Sequence, residues 1–289
     1  MNKLVGHVIP GFSFFIVGLW HLLNHIKLQV VDPNSYTALP WFPTSKSKYL
    51  EPLLAMGFCF LPLLKELFSF LRRHQVQIFN MNHDHLQVIE HNSIYFALFI
   101  NSAFAVILDL ARVRARYGLT LFLTAVAYAH GLFLIHFHSS KYTTHMGPEG
   151  QYHLLLQLLL VVCLATILLG IALPKSFMVS FVRSLSICFQ GVWLVFMGIM
   201  LWTPGLLPEG CILKKDVVIC SGEEALHRAN SFINLQFGWF LIGIAIFGVS
   251  LYLVLDKIYG QNQEEYFPLE MREEEDFYNA EYSQKKSKA

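Results

Sequence analysis

Apolar residues in this chain come in seven long runs separated by short polar stretches, near residues 7–29, 50–71, 88–111, 118–138, 153–174, 178–202 and 231–256. Each is long enough to cross the hydrocarbon of a bilayer, about 30 Å, which takes roughly 20 helical residues. No run shows the sustained period-2 alternation of a membrane β-barrel. Lipid offers backbone groups no partner, so every run is predicted to be helical. The predicted fold class is all-α, a seven-helix transmembrane bundle over residues 1–260. Residues 261–289 turn acidic and then basic without apolar periodicity, which predicts a disordered cytosolic tail. The first run holds too many polar groups for a cleaved signal peptide and no small-residue cleavage site follows it, so it reads as a retained first span.

Composition agrees with this pattern. Hydrophobic residues make up 55% of the 289 and charged residues only 14%, against about 25% charged in soluble domains. The formal net charge of +1 gives no footing for nucleic acid, and the partner implied is the lipid bilayer. Phosphate-binding loops, dinucleotide-binding glycine motifs, H-E-x-x-H and C-x-x-C are absent from the sequence.

Lysine and arginine positions set an expected orientation. With seven spans, one side carries Lys3, Arg72, Arg73, Lys141, Lys214, Lys215 and Arg228. The other carries Lys27, Lys46, Lys48, Arg112, Arg114, Arg116, Lys175, Arg183, Lys257 and the basic residues of the tail. The excess places the N-terminus on the non-cytosolic side and the C-terminus in the cytosol. Cys211 and Cys220 lie in the sixth loop, which is then non-cytosolic, where an oxidising compartment permits a disulfide. Cys59, Cys163 and Cys188 fall inside apolar runs and are expected as small core residues. The organelle stays open. Tyr266-Phe-Pro-Leu269 has the form of an endocytic sorting signal, a tetrapeptide that also arises by chance.

Helical spacing gathers the polar residues on single faces. His7, Gly11, Gly18, His21 and His25 share a stripe in the first run, and small residues on such a stripe allow close helix approach. His91, Tyr95, Ser102 and Asp109 align in the third, His153 and Gln157 in the fifth. Arg183, Ser186 and Gln190 align in the sixth, and His227, Asn230 and Asn234 in the seventh. Depth then separates them. His7, His91, His130, His136, His138 and His153 fall at the non-cytosolic level, whereas His21 and His25 fall toward the cytosol.

The layer of six histidines supports three readings. Some of them, with Glu90, could ligate a metal such as Zn²⁺, and a zinc ion with an open position could activate water for hydrolysis of a lipid or amide. Two imidazoles on facing helices could bind haem. Or the rings could only hydrogen-bond among themselves, to the polar pocket residues Tyr95, Gln157, Gln190 and Asn234, and to water. His136 and His138 project about 200° apart on a helix, so both reach one ion only where the helix ends. Asp109 is expected to pair with Arg112, and His83-Asp84-His85 to lie in an exposed loop. No residue is assigned a catalytic role. A transporter or channel is a further class, but the seven unequal runs give little sign of the internal repeat such proteins tend to show.

Several segments resemble the transmembrane protein 45 family. They are Gly6-His7-Val-Ile-Pro10-Gly11 with Gly18-Leu-Trp20, Glu90-His91-Asn-Ser-Ile-Tyr95, His136-Phe-His138 with His153, and Ser184-Leu-Ser-Ile-Cys-Phe-Gln190-Gly191-Val-Trp193. The resemblance runs over residues 5 to 256, with the transmembrane epididymal proteins as the most similar branch. It implies a multi-pass helical membrane protein and supplies no reaction. The chain departs from the family pattern after His138, where Ser139-Ser140-Lys141-Tyr142 and a longer loop stand instead of the expected Gly-Arg and Leu-Asp residues.

Overall fold

A computed structural model describes residues 3–44, 47–72, 83–142, 147–214 and 217–264, with residues 69–72, 83–87, 138–142 and 261–264 described in backbone only. Seven helices account for nearly all of it: α1 (Lys3–Val31), α2 (Leu50–Arg72), α3 (His83–Leu110), α4 (Arg116–Tyr142), α5 (Glu149–Ala172), α6 (Phe177–Trp202) and α7 (Glu223–Glu264). Between α6 and α7 two short strands, β1 (Cys211–Lys214) and β2 (Val217–Cys220), form an antiparallel hairpin. Six of the helices are long and apolar enough to cross a membrane, which fits an integral membrane protein of the all-α class. The remaining one, α2, carries Glu51, Lys65 and Glu66. At 23 residues it is about 35 Å long. Residues near the starts of α1 and α3 line one cavity, so these two helices run parallel and α2 must carry the chain back between them.

The closest approach in the bundle is the antiparallel pairing of α1 with α6. A Cβ on Gly191 would stand 2.3 Å from the Phe15 nitrogen, and one on Gly18 would stand 2.5 Å from the Cys188 nitrogen. A Cβ on Gly11 would lie 2.8 Å from the Gly191 carbonyl oxygen. The two backbones therefore touch where any side chain would part them. Gly11 and Gly18 are seven residues apart, as are Ser184, Gly191 and Gly198, a spacing that keeps the small residues on one face. Lower along the pair, Leu22, Ile26 and Val30 pack with Phe181 and Leu185 of α6 and Leu251 and Leu255 of α7.

The other helices continue from this pair. The helices α6, α5, α4, α3 and α2 pack in succession, and α7 lies against α1, α6 and α5. The central core is aromatic: Trp193 is fully buried, donates from Nε1 to the Tyr152 carbonyl at 3.1 Å, and meets Phe237 edge-on at 4.9 Å. A disulfide joins Cys211 to Cys220 across the ends of the hairpin. Val218 turns into the same core as Tyr152 and Trp193, with Ala225, Ala229 and Ile233 of α7. The hairpin thereby closes the end of the bundle at which α1 begins.

The helix ends explain where sequence expectation and structure differ. The α5–α6 turn is sharp because Pro174 follows the α5 C-cap and the Ser176 side chain caps α6 by accepting from the Val179 nitrogen. At the end of α3, Arg112 adopts φ 52°. Its nitrogen donates to the Asp109 carbonyl, and the Val113 nitrogen donates to that of Leu108, the two-bond Schellman closure. That closure directs the Arg112 side chain away from Asp109. The Asp109 carboxylate pairs instead with Lys48 Nζ at 2.5 Å and Arg116 Nε at 3.3 Å, and accepts from the Tyr49 hydroxyl. His83, Asp84 and His85 form the first turn of α3 rather than a loop, because a membrane helix continues past its apolar part into polar surroundings. For the same reason α4 runs beyond residue 138 and α7 starts before residue 231. Glu223 and Glu224 in the first turn of α7 favour that earlier start. His74, His145 and the Tyr266–Leu269 tetrapeptide lie outside the described residues.

Two outcomes follow from this packing. Substituting Gly191 or Gly18 with valine should lower the unfolding midpoint of the purified protein in detergent, by overpacking of about 1–3 kcal/mol or more. Gly118→Ala, where a Cβ meets nothing within 4 Å, should leave the midpoint unchanged. Separately, alkylation without reduction followed by peptide mass spectrometry should recover Cys211 and Cys220 as one cross-linked peptide, two hydrogens light, and Cys59, Cys163 and Cys188 as free thiols.

Candidate functional site

A cavity of about 120 Å³ opens among α1, α3, α4, α5 and α6, in the half of the bundle that contains the N-terminus. Its walls are mostly apolar, with Phe14, Leu98, Leu134, Leu160 and Met197 among them. Polar side chains enter from separate helices: His7 from α1, Glu90, His91 and Tyr95 from α3, His153 from α5 and Gln190 from α6. Pro10 and Gly6 keep the α1 wall thin. The α1 and α3 walls face each other without packing together as neighbouring helices do.

His7 and His153 are held in the same manner. The Nδ1–H of His7 donates to the Lys3 carbonyl at 2.8 Å, and the Nδ1–H of His153 donates to the Glu149 carbonyl at 2.8 Å. A carbonyl can only accept, which fixes the Nδ1 tautomer in the neutral ring and makes Nε2 the acceptor. The ring centroids stand 6.1 Å apart, edge to face. His7 also stacks on Trp202 at 4.6 Å. Each ring is thus fixed by its own preceding helical turn, a spacing of four residues visible in the sequence.

The remaining predicted residues divide. His91 and Tyr95 line the cavity and Gln190 is buried beneath it, accepting weakly from the Cys163 thiol at 3.8 Å. His130 is not among the lining residues. It donates from Nε2 to the Ser93 oxygen at 3.1 Å, while Ser93 donates to the Glu90 carbonyl, so it joins α4 to α3. His136 donates from Nδ1 to Gln157 Oε1 at 3.0 Å and joins α4 to α5. Asn234 sits exposed on α7 and accepts from Gln151 Nε2 at 2.5 Å, outside the cavity. His138 falls where only the backbone is described. Tyr128, buried on α4, lines the cavity. Its setting of Ala and Val gave no sign of that in the sequence.

Among the described residues, no group of three His, Cys, Asp or Glu side chains stands close enough to hold a metal ion. Zinc sites take three or four protein ligands at about 2.0–2.3 Å. The pair His7–His153 supplies two nitrogens, and His91 and Glu90 belong to the opposite wall. The arrangement presents a few polar groups at one end of a mostly apolar chamber.

The opposite half of the bundle holds a second polar group. Glu51, at the start of α2, accepts from Trp20 Nε1 at 3.0 Å, His21 Nε2 at 2.6 Å and the Phe42 nitrogen at 2.8 Å. His25 is fully buried one turn beyond His21 and contacts both Tyr36 and Arg183. On α1 the two polar groups are separated by Gly11 and Gly18, the residues packed against α6.

No curated protein matches the chain. Residues 117–253, from the first turn of α4 through most of α7, match the model of a family of unknown function (DUF716).

Proposed function

We propose that this is a ligand-binding membrane protein of the transmembrane protein 45 family, with a cavity on the non-cytosolic side that takes a small amphipathic molecule from the bilayer. The observation that carries the reading is that α1, α3 and α5 each bring a histidine to one end of a mostly apolar chamber. Such sites bury a mostly apolar ligand and fix it through a few polar groups. His7, His91 and His153, with Tyr95 and Gln190, would meet a hydroxyl or amide headgroup, and the leucines and Met197 its chain. The sparse packing of α1 against α3 would give a ligand dissolved in the membrane a lateral way in. The matched family segment supports the family assignment over residues 117–253. The basic run Arg112-Val-Arg114-Ala-Arg116 and the disulfide at the other end of the bundle support the orientation.

One observation favours a second reading, a metal-dependent hydrolase. The Nδ1–H of both His7 and His153 is tied to a carbonyl, as is usual for metal-bound imidazole. That reading needs a third ligand, from Glu90, His91 or His138.

Photo-crosslinking of the protein in nanodiscs with a diazirine-bearing single-chain alcohol tests the first reading. Labelled peptides should include Leu98 and Met197, and His153→Ala should weaken labelling about tenfold, the value of one buried hydrogen bond. Labelling confined to outward residues such as Phe122 and Ile246, and unchanged by the substitution, would defeat it. Stoichiometric zinc in the same preparation, lost in His153→Ala, would favour the hydrolase.

A further inference from the structure

Arg183 lies in the second turn of α6 with 3% of its surface exposed. Its guanidinium reaches toward α5 at Gly170, where a Cβ would stand 2.7 Å from Nη1. Any larger residue at 170 would occupy the space the guanidinium fills, so the sequence makes room for a charge that is expensive to bury. A guanidinium remains protonated in proteins, and buried charges are paired. Yet among the described residues no carboxylate lies within 4 Å of Arg183. Glu51, on the same half of the bundle, already accepts from Trp20, His21 and the Phe42 nitrogen.

The neighbours of Arg183 are neutral groups that supply no countercharge. Arginine can only donate, so in the 3.5 Å contact of Nη2 with His25 Nε2 the imidazole nitrogen is the acceptor and Nδ1 carries the proton. Nδ1–H then donates to the Tyr36 oxygen at 2.9 Å, which leaves the Tyr36 hydroxyl hydrogen to be accepted elsewhere. Burial holds the Tyr36 phenol above its ordinary pKa, so it keeps that hydrogen. Beside it stands Ser180, fully buried on the same face of α6, with a hydroxyl that makes no hydrogen bond of good geometry. Arg183 Nη1 likewise makes none. Three donor groups from α6 and the α1–α2 connection thus share one buried region with a fixed positive charge and, among the described residues, no carboxylate to answer it.

We propose that this place is a binding site for a small monovalent anion, a halide or a carboxylate, held by Arg183, Ser180 and Tyr36. Nη1 would give the charge-assisted bond and the two hydroxyls the others, a donor set suited to a compact anion. The site is separate from the histidine-lined cavity and does not depend on what that cavity binds. The buried residues Tyr36, Ala38, Trp41 and Phe42 of the α1–α2 connection cover this half of the bundle, so the anion would be enclosed and exchange slowly.

The test is the unfolding midpoint of the full-length protein in detergent, prepared in isethionate, a sulfonate larger than either proposed ligand, and titrated with chloride or acetate at constant ionic strength. The midpoint should rise by several degrees and saturate, as ligand linkage requires. Ser180→Ala should need about tenfold more anion, and Arg183→Gln should abolish the response. If Arg183→Gln does not fold, Arg183→Lys replaces it: the charge survives without the planar fork, and the anion requirement should rise. An unsaturable response, or one unchanged by Ser180→Ala and either arginine variant, would overturn the proposal. So would an insensitive protein that becomes anion-dependent once Glu273, Glu274, Glu275 and Asp276 are neutralised together, since the tail would then be the occupant.

Discussion

The backbones of α1 and α6 meet through Gly11, Gly18 and Gly191 with no side chain between them, and most of the remaining geometry depends on that approach. In lipid there is little hydrophobic force between helices, so association rests on close packing and on polar contacts. A glycine face gives both. It allows dispersion contact along two backbones, and it sets the stripe bearing His7, His21 and His25 against α6. Separate the pair by one methyl and His7 leaves Trp202, while His25 leaves Arg183. The stacking of His7, the burial of His25 and the wall of the cavity share this one cause.

Polar groups inside the bundle follow a division that the α1–α6 pair creates. In the half with the N-terminus, His7 and His153 are tied to carbonyls of their own helices and border a mostly apolar chamber. In the other half, carboxylates and cations settle between helices. Glu51 fastens α2 to α1 and to the connection between them, and Asp109 fastens α3 to Lys48 and Arg116. The Asp109 carboxylate in turn holds the Lys48 ammonium above its ordinary pKa. Lys48 is largely exposed, so its pairing adds more to register than to stability. Arg183 alone among these groups has a charge that the described chain does not answer.

Much of this was legible in the residues. Seven apolar runs gave seven helices, and the stripe Gly11–Gly18–His25 gave the inward face of α1, because spacing on a helix is a local property. The convergence of His7, His91 and His153 on one end was legible from depth alone. Local spacing failed where the chain folds back. Asp109 looked like the partner of Arg112, and only the left-handed turn at Arg112 reveals why it is not. Asn234 shared a polar face with His227 yet points away from the chamber, because α7 packs outside the ring that α1, α3, α4, α5 and α6 form around it. His130 and His136 lie at the right depth, but each is spent on joining neighbouring helices. Tyr128 and the donor cluster around Arg183 depend on contacts among three elements, and no periodicity encodes those.

The partnership of the first helix with the sixth also sets an order of events during synthesis. Everything from α2 to α5 must emerge before Gly191 and Gly198 reach the membrane. At about 5–20 residues per second, α1 waits on the order of ten to thirty seconds for its main partner. Throughout that interval a helix with three histidines and an uncovered glycine face stands in or beside the translocation machinery. The hairpin that closes the bundle beyond α6 is made later still, and its disulfide would then form only on a protein whose first helix has already been claimed.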